Sequence, residues 1–169
     1  IEKIEFRPIT LSSKISEPPV LTTCLEYSST EVASQMPLVL IHGFDSSCLE
    51  FRRLAPKLAS RHPVYVPDIL GWGFNDCSNV KDFSPAAKLE HLKQFLLQVV
   101  KRKCVLVGAS LGGGIAINLA TEICPELVEK VVLLDAQGFI DGKGPSNLPR
   151  FIAKAGVNVL KSRLIRGYA

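Results

Sequence analysis

The sequence predicts an α/β fold: a mostly parallel sheet with helices on both faces. Three observations carry that prediction. Short unbroken runs of Val, Ile and Leu recur along the chain, as in PLVLI and KCVLV. Strands covered on both faces read this way because neither face leaves room for polar side chains. Between the runs stand segments with apolar residues three or four positions apart, the spacing of a helix face; this alternation is the mark of βαβ units. Finally, 47% of the 169 residues are apolar, 12 more are glycine and only 21% are charged. A sheet buried on both faces needs that surplus, and it excludes a disordered chain, a collagen-like repeat and a coiled coil.

The elements follow in order. Ile4-Glu5-Phe6-Arg7 and residues 21–27 alternate and are split by Pro18-Pro19, which predicts one or two antiparallel strands. Residues 37–41 form the first buried run and end in His42-Gly43. Residues 48–60 have helical spacing through Leu49, Leu54, Ala55 and Leu58. A second run, 64–66, is closed by Pro67-Asp68, and 89–100 predicts a helix with Leu92, Phe95, Leu96 and Val99 on one stripe. A third run, 103–107, ends in Gly108; a helix over 111–124 is stopped by Pro125; and 128–134 ends in a strand capped by Asp135. This makes about six strands. Gly138, Gly142, Gly144, Pro145 and Asn147 mark 136–147 as loop, and 148–166 reads as a helix with a basic face. The expected division is therefore a core over 1–135 and a loop and helix over 136–169.

Charge and cysteine content narrow the function. The net charge is +4, yet Lys143, Arg150, Lys154, Lys161, Arg163 and Arg166 all lie in the last 28 residues, which hold no acid. The body is near neutral, which argues against a nucleic-acid partner. Cys24, Cys48, Cys77, Cys104 and Cys124 form no C-x-x-C pair and are odd in number. No metal-ligand spacing results, and most read as small buried hydrophobes in a reducing compartment. No secretory signal is visible, and the longest apolar stretch, 105–120, is too short and too glycine-rich to span a membrane. The expected location is intracellular. The chain begins at Ile1, as a processed protein or a fragment would.

The sharpest chemical signal is Gly108-Ala109-Ser110-Leu111-Gly112. It fits G-x-S-x-G after a buried strand and at the start of a helix, where a sharp turn lifts a serine hydroxyl above the sheet edge. The flanking glycines avoid clashes with the neighbouring strand and helix, and the helix N-terminus favours developing negative charge. A glycine-rich turn with a bystander serine is the bland alternative. His42-Gly43-Phe44 ends an earlier strand, so the Phe44 and Leu111 amides can converge as an oxyanion hole; a plain strand-end turn gives the same residues. The third signal is VPDILGWGFND, residues 66–76, a strand end with a loop holding two glycines.

With LVLIHGF, VPDILGWGFND and LVGASLGG in order, the chain resembles the α/β-hydrolase superfamily over roughly residues 37–135. The detail looks most like plant members, several of which are plastid proteins, so chloroplast or cytosol is expected. The resemblance implies Ser110 as nucleophile, Phe44 and Leu111 as oxyanion donors, and His42, Gly43, Asp68, Gly108 and Gly112 as structural residues of the site. It implies no metal or cofactor. It implies an eight-stranded sheet, of which two strands follow a cap that shapes an apolar pocket. Residues 136–169 correspond to the start of that cap. Asn75 stands where serine is more usual. The epoxide hydrolases and haloalkane dehalogenases of this superfamily use an aspartate at the elbow, so with Ser110 there those reactions are not expected, despite similar flanks.

An activated serine needs a base, and the family order is Ser, then Asp or Glu, then His. His42, His62 and His91 all precede Ser110. The triad histidine is therefore expected outside this chain, and the chain alone is expected to be inactive. Asp135 stands where some members carry the acid; more members place it one strand later. Asp141 reads as a loop residue. The leading expectation is a serine hydrolase of a small apolar ester or related acyl bond. The alternative is a non-catalytic small-molecule-binding or interaction protein on the same fold. A basic helix over 148–166 can also lie on an anionic membrane; a cap helix with a solvated face explains it better.

Overall fold

The computed structural model describes residues 3–137. Six strands form one sheet in the order β1-β2-β4-β3-β5-β6: β1 (Lys3–Ile9), β2 (Val20–Tyr27), β3 (Leu38–Ile41), β4 (Val64–Pro67), β5 (Cys104–Ala109) and β6 (Val128–Leu134). β1 and β2 are antiparallel, β2 runs antiparallel to β4, and β3, β4, β5 and β6 are mutually parallel. The predicted α/β class and the runs that define its strands are therefore present.

The apolar runs are buried on both faces. Val39 and Ile41 of β3, with Cys104 and Leu106 of β5, pack on one side beneath α2 (Pro85–Phe95) and α3 (Leu111–Asn118). Leu38, Leu40, Val64, Val66 and Val107 face the other side, against the turn Cys48–Phe51 and α1 (Ala55–Ala59). Alternate residues of one strand thus feed two cores, which leaves no position for a polar side chain. β6 lies at the far end of the sheet, where Val132, Leu133 and Leu134 are partly exposed. Cys24, Cys48, Cys104 and Cys124 are buried and Cys77 half-buried, all with free thiols.

Two helices depart from expectation. Residues 48–60 are not one helix: a single tight turn, Cys48–Phe51, is followed by the five-residue α1. Pro56 is the cause, because its ring would strike the Arg52 carbonyl in a continuous helix and its nitrogen donates no hydrogen bond. α2 begins at Pro85 rather than 89, where the Ser84 side chain accepts the Ala87 N–H and Pro85 takes the first helical position. α2 continues through a wider turn, Leu96–Val100, and α3 through Leu119–Ile123. The expected cap loop and helix lie outside the described residues, apart from Ala136 and Gln137.

The topology fixes where a site can form. From β3 the chain moves outward to β4, then crosses back to β5 on the other side of β3. At such a switch point the loops leaving two adjacent parallel strands diverge and open a crevice at their C-terminal ends. Here those loops begin at His42 and Ser110.

Candidate active site

Ser110 sits between β5 and α3 with φ 49° and ψ −116°, a conformation that L-residues rarely adopt. Such strain costs about 1–3 kcal/mol and persists only where the surroundings impose it. Here the backbone imposes it. The Ser110 N–H donates to the Leu134 carbonyl of β6 at 3.0 Å, and its own carbonyl accepts from Gly113 at 3.0 Å and Gln137 at 2.9 Å. The glycines make the turn feasible. A Cβ on Gly108 would lie 2.4 Å from the Gly112 carbonyl oxygen, and one on Gly112 would lie 2.2 Å from that of Ile41. The Ser110 side chain is exposed. Leu111 is the first residue of α3, so its amide has no acceptor within the helix.

Opposite the elbow, Gly43 is buried so close that a Cβ on it would lie 3.5 Å from Ser110 Cβ. His42 beneath it is fully buried. Its Nε2 lies 3.0 Å from the Ile69 amide, which can only donate, so Nε2 is an acceptor and the proton sits on Nδ1. Nδ1–H then donates to the Gly43 carbonyl at 2.8 Å. In a trans peptide the carbonyl and the next N–H point opposite ways. Holding the Gly43 carbonyl against the imidazole therefore turns the Phe44 N–H away from it. Burial lowers the His42 pKa, which keeps this neutral tautomer. Asp68 lies 3.8 Å from Nε2, but that nitrogen is already engaged by Ile69, so the contact is not an ion pair.

Asp68, also fully buried, holds two further loops. Oδ1 accepts the Cys48 N–H at 2.5 Å and Oδ2 the Phe74 N–H at 2.7 Å. Its carboxyl occupies the space a Gly73 Cβ would need, and Gly73 has φ 65°. Asn75 completes this corner: its Oδ1 accepts the Thr23 N–H, and its Nδ2 donates to the Asp68 and Ile69 carbonyls. Serine is too short to make all three bonds, so the departure at Asn75 has a structural role that sequence reading missed. Cys48 is no rival nucleophile, because burial pushes its thiol up to about 12.

Asp135 follows β6 with φ 49° and is exposed; among the described residues its carboxylate takes no hydrogen bond or ion pair. His62 is half-buried beside the Met36 carbonyl, just before β4 begins, at the opposite end of that strand from Asp68. His91 is buried on α2 with Nε2 2.6 Å from Thr22 Oγ1; burial pushes its pKa down to about 3. The chain's three histidines thus have other environments than the serine hydroxyl. An aromatic rim borders the crevice: Phe44 packs edge-on against Trp72 at 5.3 Å, and Lys88 lies over the Trp72 ring at 4.4 Å. Among the described residues no group of three His, Cys, Asp or Glu side chains converges as a metal site would.

A strained, exposed serine between a parallel strand and a helix, faced by a His-Gly turn at the switch point, defines the hydrolase class of α/β proteins. Residues 36–165 match the family model of the alpha/beta hydrolase fold, and the chain belongs to that family. It is 39% identical over 149 residues to an alpha/beta hydrolase domain-containing protein, VTE7, of Arabidopsis thaliana, covering 87% of this chain and 44% of that protein. A meta-cleavage product hydrolase of Pseudomonas fluorescens superposes with a TM-score of 0.61 at 30% identity, over 76% of this chain and 45% of that one. A membrane phospholipase A, a bacterial virulence factor, shares the fold with a TM-score of 0.68 at 24% identity, over 85% and 42%. The chain spans 29–44% of the length of the curated relatives it matches. Among the described residues no helix is long and apolar enough to cross a membrane.

Proposed function

We propose that this chain carries the nucleophile half of a serine hydrolase that cleaves a small apolar ester or related acyl bond. The Ser110 geometry carries the reading: an exposed hydroxyl held at φ 49°, ψ −116° by three backbone hydrogen bonds, at the head of a helix. Ser110 Oγ attacks the acyl carbon, and the Phe44 and Leu111 amides take the developing oxyanion; such donors are each worth about 3 kcal/mol in related enzymes. The exposed Phe44 and the half-buried Trp72 offer an apolar wall to the substrate. The proton goes to a histidine that is not among His42, His62 and His91, so the base belongs to a longer protein containing this chain. Asp135 is the candidate acid within the chain. Chloroplast or cytosol is the proposed location, and fractionation of tissue expressing the full-length protein tests it.

The test uses a fluorophosphonate probe on the full-length protein. Labelling that disappears in Ser110→Ala supports the reading; absence of labelling in the wild type overturns it. Ser110-dependent turnover of an activated ester by residues 1–169 alone would overturn the missing base. One observation favours a second reading, a non-catalytic binding protein: the chain's histidines all have other environments. A full-length sequence without a later histidine would favour it.

A further inference from the structure

We propose that Glu50 is a positioning residue of the oxyanion loop, an inference that rests on the hydrolase reading of Ser110. Its carboxylate Oε2 accepts the Gly43 N–H at 2.9 Å. That oxygen and Ser110 Cβ lie 3.6 and 3.5 Å from the position a Gly43 Cβ would take, so an acidic side chain borders the nucleophile. The Gly43 N–H belongs to the peptide that joins residues 42 and 43. With that N–H drawn to Glu50, the His42 carbonyl points the other way, toward Gly112 of the elbow, whose Cβ would lie 2.6 Å from it. The next peptide is fixed by Nδ1–H of His42 on the Gly43 carbonyl.

Both polar atoms of Gly43 are therefore engaged, by two relays that start at the end of β4. One runs from the Ile69 N–H through the His42 ring to the Gly43 carbonyl. The other runs from Asp68 through the Cys48 N–H to the turn Cys48–Phe51, which carries Glu50 to the Gly43 N–H. Gly43 has no side chain to restrict its torsions, so without these bonds both peptides could rotate. Glu50 also removes the Gly43 N–H from competition. The loop is left with the Phe44 N–H as its donor to the site, a two-donor hole with Leu111.

Two variants separate hydrogen bond from charge. Glu50→Gln keeps an acceptor and loses the charge, whereas Glu50→Ala loses both. On the full-length protein with an activated neutral ester, Glu50→Ala is expected to lower kcat about tenfold with KM within about twofold, because a loosened donor acts on the transition state and not on ground-state binding. Glu50→Gln is expected to stay within about threefold of wild type. In the 15N-labelled protein at neutral pH the Gly43 amide resonance should move in Glu50→Ala, which removes its acceptor, and should move less in Glu50→Gln, which keeps one. A Gly43 amide that ignores Glu50, or an unchanged kcat in Glu50→Ala, overturns the proposal. Failure of the hydrolase reading looks different: the amide coupling is intact but no Ser110-dependent probe labelling occurs.

Discussion

The elbow at Ser110 and the loop of residues 42–44 face each other across the C-terminal ends of β3 and β5, and different kinds of atom hold them. The elbow is fixed by backbone alone: three main-chain hydrogen bonds on Ser110, and glycines packed where any Cβ would meet a carbonyl. The loop is fixed by side chains, His42 and Glu50 on Gly43 and Asp68 on the turns beside it. The elbow is therefore intolerant of volume and indifferent to charge. The loop tolerates small changes of volume but depends on which groups carry protons. Substitutions that add a methyl and substitutions that remove an acceptor should separate the two regions.

The largest effect is expected at the elbow. Gly112→Ala would put a Cβ 2.2 Å from the Ile41 carbonyl oxygen of the central strand, and neither backbone can yield without moving the sheet. Overpacking against side chains costs about 1–3 kcal/mol, and rigid backbone on both sides puts this case above that range. Loss of the cooperative thermal transition, followed by circular dichroism, is the expected result. A transition within 3 °C of wild type would show that the elbow has slack.

At the loop, Asp68→Ala removes the acceptor of two backbone amides, one of them buried. Each unsatisfied buried group costs about 1–3 kcal/mol, so a loss of about 3 kcal/mol in urea denaturation is expected. Asp68→Asn keeps one acceptor oxygen and should lose about half as much. Equal losses for the two would mean that shape, not hydrogen bonding, holds this corner.

Protons should sharpen the contrast further. Burial lowers the folded-state pKa of His42 below its ordinary 6.5, so the native state resists the proton that the unfolded chain accepts. The stability it contributes is present above 6.5 and is lost as pH falls through the lowered value. Protonation turns Nε2 from acceptor to donor and breaks the Ile69 bond. His91, with a pKa near 3, titrates with the same sign in the core, so global stability mixes both groups at up to ~1.4 kcal/mol per pH unit each. Local probes separate them. The Ile69 and Gly43 amide resonances should shift with acid, while Gly113 of the elbow should not until the protein unfolds. Parallel shifts at all three would erase the distinction.

The same contrast explains what could be read from the sequence. The elbow was legible because its requirements are local. Glycine at 108 and 112, serine at 110, a β-branched run before and a helix after are all adjacent in the chain, and the two-faced strands announced themselves as unbroken apolar runs. The loop's supports were not. Glu50 and Asn75 act on backbone atoms of residues 43, 23, 68 and 69, which only the folded sheet brings near. Neither residue type advertises such a role. Some local signals went unused: Pro56, which splits the helix expected over 48–60, and Ser84-Pro85, which starts α2 early.

The smallest expected effect lies at the rim, where Lys88 links α2 to the loop after β4. Its Nζ donates to the Leu70 carbonyl and lies over Trp72, which packs against both His42 and Phe44. The ammonium fills the space beside Gly71, whose Cβ would come within 3.2 Å of Nζ and 2.8 Å of Phe83. Burial lowers the Lys88 pKa, the cost of holding a charge half out of water. Lys88→Met keeps the stem and removes both the charge and the donor. The lost cation–π contact and hydrogen bond together are worth about 1–2 kcal/mol, and relief of the desolvated charge offsets part of it, so a net loss of about 1 kcal/mol is expected. Trp72 should report the change directly, because it is the chain's sole tryptophan: its emission should shift as the ammonium leaves the ring face. A stability loss without a spectral shift would mean that Lys88 acts through the Leu70 carbonyl alone, and the aromatic rim would then be coupled to the oxyanion loop only by its own packing.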